Sequence, residues 1–102
     1  MGDWTERAAC RQLDPKISDE IFFPNGLHSA SEIERAAVSA PARHICNTCP
    51  VINTCLAHVT NIEAGNELHT RHGIWAALTP KERMQQDPTR QARKRKRKAE
   101  AA

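Results

Sequence analysis

Four cysteines constrain this chain more than anything else in its 102 residues. Three sit close together in Cys46-Asn-Thr-Cys49-Pro-Val-Ile-Asn-Thr-Cys55, and Cys10 stands far upstream. A C-x2-C pair can grip one metal, or one face of a cluster, from a tight turn. A helix following Pro50 would carry Cys55 back toward that pair, and Cys10 has to arrive from a separate N-terminal element. If all four meet, they staple the N-terminal segment to the middle of the chain. Trp4, Phe22, Phe23 and Trp75 are the only aromatics besides histidine. A single small domain with so thin a core is marginal without disulfides, a metal or a partner.

The chemistry of the site depends on the compartment. No secretory signal is visible, since the start is acidic and no apolar run follows it. No segment approaches the roughly 20 apolar residues of a membrane helix. A soluble, cytoplasmic chain with reduced thiols is expected, which favours ligation over a disulfide frame. Thiolates suit zinc and iron–sulfur clusters alike. Cys10, Cys46, Cys49 and Cys55 supply the four thiolates that a [4Fe–4S] cluster takes. Cys46, Cys49 and Cys55 with His58, three residues further on, supply a Cys3His set for Zn2+. Buried apolar cysteines or a disulfide pair form a third reading. The other histidines, His28, His44, His69 and His72, read as surface residues.

The expected fold is all-α: a small bundle of short helices and loops organised around the cysteine site. A helix is expected over residues 3–13, with Asp3 and Glu6 at capping-box spacing and Asp14-Pro15 as its stop. Residues 14–30 carry loop signals, yet Ile21-Phe22-Phe23 is apolar and has to pack on something. Ser31 and Glu34 open a helix to about Ser39, with Ile33, Ala37 and Val38 as its apolar side. Pro41 suits the start of another helix, to about Cys46 or Asn47. Pro50 suits a third, to about Glu63, with Val51, Cys55, Leu56 and Val59 at helical spacing. Gly73-Ile74-Trp75-Ala76-Ala77 reads as an apolar turn. Thr79-Pro80-Lys81-Glu82 combines an N-cap, a first-position proline and a capping glutamate. Neither repeats nor a convincing strand are present.

Charge divides the chain at its end. From Arg90 onward there are seven Lys/Arg and one acid, Glu100, whereas the rest carries eight Lys/Arg and eleven acids. Residues 1–87 therefore read as one domain and 88–102 as a basic tail, disordered when free. Arg90, Arg93, Lys94, Arg95, Lys96, Arg97 and Lys98 are candidate DNA contacts, with a salt slope of about −6 as a ceiling. Such contacts are blind to sequence. No helix-turn-helix or other autonomous reader accompanies them, which fits recruitment by another protein.

Taken in order, these pieces resemble the WhiB-like family of actinobacteria and their phages over about residues 4–84. The resemblance rests on Trp4 six residues before Cys10, Asp14-Pro15, and Ile21-Phe22-Phe23-Pro24-Asn25-Gly26. It continues through Cys46-x2-Cys49-Pro-Val-x3-Cys55, Gly73-Ile74-Trp75, Leu78-Thr79-Pro80-Lys81-Glu82-Arg83 and the basic tail. It implies one [4Fe–4S] cluster on the four cysteines, reactive toward nitric oxide and oxygen. It also implies binding to the C-terminal domain of the primary sigma factor of RNA polymerase, and contact of the basic tail with promoter DNA. Trp4, Phe22, Phe23 and the Gly73, Ile74, Trp75 turn are implied to line the cluster and the sigma contact. The chain departs from the family where Ala76-Ala77 replaces two glycines. Alanine resists positive φ, so another turn conformation is expected.

An enzyme is not expected, nor a small-molecule substrate. The sequence has no phosphate loop, nucleophile elbow or H-E-x-x-H. Two rivals to the cluster regulator remain: a zinc-stabilised DNA-binding module, and a protein disulfide reductase using Cys46-x2-Cys49. The second lacks the strand–helix context of a thioredoxin-like fold.

Overall fold

The computed structural model describes residues 4–101. It contains five α-helices: α1, Pro15–Phe22; α2, Glu32–Asn47; α3, Ile52–Ile62; α4, Pro80–Gln86; and α5, Pro88–Ala101. Three short 3₁₀ turns, Trp4–Arg7, Ala9–Gln12 and Leu68–Thr70, complete the regular structure. Among the described residues there is no strand, only an isolated bridge between Trp75 and Leu78. The all-α expectation holds.

The N-terminal helix expected over 3–13 is instead two 3₁₀ turns, and the proposed Asp3 cap lies outside the described residues. Ala8 is extended (φ −66°, ψ 135°) and breaks the segment in two. Its methyl is buried, and the break lets the Ala9 N–H donate to Cys49 Sγ at 3.4 Å. The loop expected after it begins with a helix. Asp14 accepts the Lys16 N–H at 2.9 Å and Pro15 takes the first position. The dipeptide read as a stop is therefore a start.

Helix α2 begins as expected, with Ser31 Oγ accepting the Glu34 N–H at 3.2 Å. It then runs unbroken through Pro41 to Asn47, where two helices were expected. An interior proline costs about 3 kcal/mol, and packing of the opposite side outweighs it. That packed side is Ser39, Ala42 and Cys46. The expected apolar side is wrong: Ile33 is 84 % exposed, and Ala37 and Val38 are exposed too. Small side chains at 39 and 42 let neighbouring elements come close, and Phe22 from α1 packs in one core with Ala42, Cys46, Leu27 and Ile74.

Helix α4 carries the expected capping box, with Thr79 Oγ1 accepting the Glu82 N–H (3.3 Å) and Glu82 Oε1 accepting the Thr79 N–H (2.9 Å). The end of the chain departs from expectation. Residues 88–101 form α5 rather than a disordered tail. Asp87 Oδ1 accepts the Thr89 N–H at 2.9 Å, and Pro88 begins the helix. Arg, Lys, Gln and Ala are all good helix formers, so nothing within α5 opposes it except charge repulsion.

A second, ionic core joins the C-terminal elements. Arg83 uses all five N–H donors. Nε and Nη2 hold Glu63 at 2.8 and 3.1 Å, and Nη2 also reaches the His72 carbonyl at 3.1 Å. Nη1 donates to the carbonyls of Gly73 and Leu78, both at 2.8 Å. Arg71 bridges Glu63 (3.3 Å) and Asp87 (2.5 Å). Asp87 in turn accepts the Gly65 N–H at 2.8 Å. Both arginines are buried, Arg71 to 1 % exposure. A buried charge is tolerable only when paired and hydrogen-bonded, and among the described residues no buried side-chain polar atom lacks a partner.

Candidate functional site

Four separate pieces of the fold deliver the four cysteines to one cavity of about 400 Å³. Cys10 comes from the second 3₁₀ turn, Cys46 from the last turn of α2, Cys49 from the α2–α3 loop and Cys55 from α3. All four are free thiols. Trp4, Phe22, Phe23, Ile74 and Trp75, each singled out in the sequence, line the same cavity. Gly73 does not, but it shapes the wall. Its φ is +71°, and a Cβ there would lie 2.5 Å from the Phe23 ring. The adjoining Ile74 N–H donates to the Phe22 carbonyl at 2.7 Å. The Ile21-Phe22-Phe23 cluster thus divides: Phe22 enters the core, whereas Phe23 stays 49 % exposed.

The wall includes residues that the sequence reading missed, notably Ile45, Ile52 and Ala76. Ala76 and Ala77 were expected to give the turn another conformation. Instead both take positive φ, 52° and 65°, where glycine would be at ease. The two form a tight turn closed by Trp75 N–H to Leu78 O at 3.1 Å and Leu78 N–H to Trp75 O at 2.9 Å. In that conformation the Ala76 and Ala77 N–H groups face Cys55 and Cys46 respectively.

Burial acts on three of the four thiols. Burial pushes the Cys55 thiol up to about 11, against the Ala76 N–H and together with the other three sulfurs. Burial raises Cys46 as well, although the Ala77 N–H opposes it. Cys10 is raised by burial and by Cys49. Burial thus keeps Cys10, Cys46 and Cys55 protonated at neutral pH, which makes these three weak nucleophiles. A metal centre displaces those protons.

The donor set also bears on which group would fit. Among the described residues, no three His, Cys, Asp or Glu side chains are arranged to hold a single metal ion. His58, the fourth ligand of the zinc alternative, is exposed and faces Trp4, with ring centroids 5.4 Å apart. The cavity is walled by four thiols and apolar side chains, a donor set that suits thiolate ligation of zinc or of an iron–sulfur cluster.

The other four histidines are exposed, as expected. The basic residues do not approach the cavity. They lie along α5, where Arg90 pairs with Glu67 at 3.0 Å and Arg93 reaches the Gly65 carbonyl at 3.3 Å. Lys94 to Lys98 are exposed. No described helix is long and apolar enough to cross a membrane.

Comparison with known proteins agrees with this arrangement. The family model for transcription factor WhiB matches residues 4–86. Transcriptional regulator WhiB1 of Bifidobacterium longum is 35 % identical over 83 residues, covering 79 % of this chain and 73 % of that protein. Transcriptional regulator WhiB1 of Mycobacterium tuberculosis is 33 % identical over 79 % of this chain and 80 % of its own length. Redox-responsive transcriptional regulator WhiB3 of Mycolicibacterium smegmatis is 32 % identical, over 79 % and 72 %. The matched span includes every cysteine and the turn that closes the cavity, and the chain belongs to the WhiB family of transcription factors.

Proposed function

We propose that Cys10, Cys46, Cys49 and Cys55 hold a [4Fe–4S] cluster. In this reading the chain is a transcription regulator that docks on the C-terminal domain of the primary sigma factor and touches promoter DNA with its basic C-terminal segment. The observation that carries the proposal is the convergence of four free thiols, from four separate pieces of the fold, on one apolar cavity. When bound, the cluster supplies a redox-active centre sensitive to nitric oxide and oxygen. Some relatives being named redox-responsive regulators supports that sensing role.

The chain's own residues have separable tasks in this reading. The cysteines tie the N-terminal turns to α2 and α3. The N–H groups of Ala9, Ala76 and Ala77 face sulfurs, and hydrogen bonds to sulfur tune a cluster's potential. Trp4, Phe22, Ile74 and Trp75 exclude water. Phe23, Trp4 and Trp75 line the cavity while keeping exposed surface. Large aromatics placed in this way suit a protein interface, which supports sigma-factor docking beside the cysteine site.

Anaerobic purification with iron, sulfide and zinc assays tests the cofactor. About four irons and four sulfides per chain are expected, with Cys49→Ala losing the complement. A colourless protein with about one zinc would refute the cluster reading. Pull-down with the isolated sigma domain tests the partner, and a Phe23→Ala variant that retains its cluster should bind more weakly.

A further inference from the structure

The exposure pattern of α5 is unlike that of the other helices. Residues 91–101 are all exposed, and beyond Arg93 no contact with the body accompanies the helix among the described residues. Its root, by contrast, is firmly held. Asp87 caps it while bound to buried Arg71, Arg90 pairs with Glu67, and Arg93 reaches Gly65. The radius of gyration, 15.0 Å, exceeds the roughly 13 Å of a compact domain of this length. Fourteen residues of helix span about 21 Å. The result is a braced rod with a free outer half.

The cations on that outer half encircle it. Lys94, Arg95, Lys96, Arg97 and Lys98 are consecutive, and successive helical residues turn by about 100°. Five of them cover the full circumference within one and a half turns. A single charged stripe would suit one strand's backbone or a flat anionic surface. Charge on every side suits a trough with anionic walls on both flanks.

We infer that the outer half of α5 inserts lengthwise into the major groove of duplex DNA and contacts phosphates of both strands. This rests on the reading of the basic segment as a DNA contact and names how the contact is made. A helix is about 10–12 Å across with side chains, and the B-form major groove is about 12 Å wide. The major groove of A-form RNA is too deep and narrow for side chains to read. The braced root would then fix the angle between body and DNA axis.

The test uses the full chain, purified anaerobically with its bound metal. Anisotropy titrations compare a mixed-sequence DNA duplex of about 21 bp, two turns of helix, with an RNA duplex of the same sequence. DNA should bind at least about tenfold more tightly, a difference of about 1.4 kcal/mol. Methyl green, a major-groove ligand, should compete, and the minor-groove ligand netropsin should not. Lys94→Gln, Arg95→Gln, Lys96→Gln and Arg97→Gln should each lower the salt slope by about 0.9, because every side meets phosphate. Ala92→Pro, which keeps all charges but interrupts the rod, should weaken DNA binding while leaving heparin binding unchanged. Equal binding to DNA and RNA with wild-type behaviour of Ala92→Pro would overturn groove insertion and leave a flexible polycation. Displacement by netropsin, or an effect confined to residues three or four apart, would also overturn it. No binding of the parent chain to duplex DNA, even at low salt, would overturn the DNA reading itself.

Discussion

Three small residues decide the shape of the cavity's closing turn. Gly73 needs positive φ and also lacks room for a Cβ, because the Phe23 ring and the Phe22 carbonyl stand against it. Gly73→Ala should destabilise the protein by about 2 kcal/mol or more, combining left-handed strain with a clash. Thermal unfolding would measure it, and Phe23 should shift at the cavity wall. Ala76 and Ala77 present the opposite case. Both occupy left-handed backbone at a penalty of about 1 kcal/mol or more each, and Ala76→Gly with Ala77→Gly should raise stability by a comparable amount. A double variant with unchanged or lower melting temperature would mean that the methyls contribute packing that offsets the strain; Ala76 is indeed buried. Sequence alone shows that alanine replaces glycine here. It does not show which side yields, because that depends on Arg83, which clamps the carbonyls of Gly73 and Leu78 on either side of the turn.

Helix starts were the most legible elements, because their signals are local. Ser31 and Thr79 cap the helices that they were expected to cap. Asp14-Pro15 was ambiguous for a physical reason: proline ends a preceding helix and begins a following one with equal ease. The buried side of α2 was misread because Ser39 and Ala42 matter through closeness of approach, which a hydrophobicity pattern does not record. The helical state of α5 was hidden by its charge, whereas its cause lies at Asp87. Burial works against the ionised Asp87 carboxylate. The Gly65 N–H, the Arg71 guanidinium and the Thr89 N–H favour it more strongly, so its pKa falls below the ordinary value. A depressed carboxylate gives its full stabilisation above the unfolded value of about 3.9 and loses it as pH falls through the lower folded value. Acid titration by circular dichroism should therefore show a loss of structure below about pH 4 that is muted in Asp87→Asn. Asp87→Ala strands the buried Arg71 with a single carboxylate and should cost about 3–5 kcal/mol. That variant should also fray α5 while leaving the cysteine cavity intact.

At the scale of the molecule, two cores of different chemistry share one small chain. The apolar core beside the cysteines was partly legible, since Phe22, Cys46 and Ile74 stood out by type. The ionic core was not, because nothing in the order of residues distinguishes Arg71, Arg83, Glu63 and Asp87 from solvated charges. The division predicts unequal dependence on metal. If the cysteines hold the proposed cluster, its loss by chelation or oxidation should loosen the N-terminal turns, α1 and the Gly73–Ala77 turn. The Glu63, Arg71, Arg83 and Asp87 network should persist, and hydrogen exchange with and without metal would show protection lost in the first set and kept in the second. The two N-terminal 3₁₀ turns reach the body through Trp4 on His58, Ala8, Cys10 and the Ala9 N–H on Cys49. A segment attached so lightly makes its exposure to proteases a clock. In the proposed cluster reading, ligation of Cys10 holds residues 4–12 against the body, and its release should make them an early site of proteolysis. Under the proposed sensing role, a chemical signal lasting seconds would then be recorded as a change in how long each copy of the protein survives.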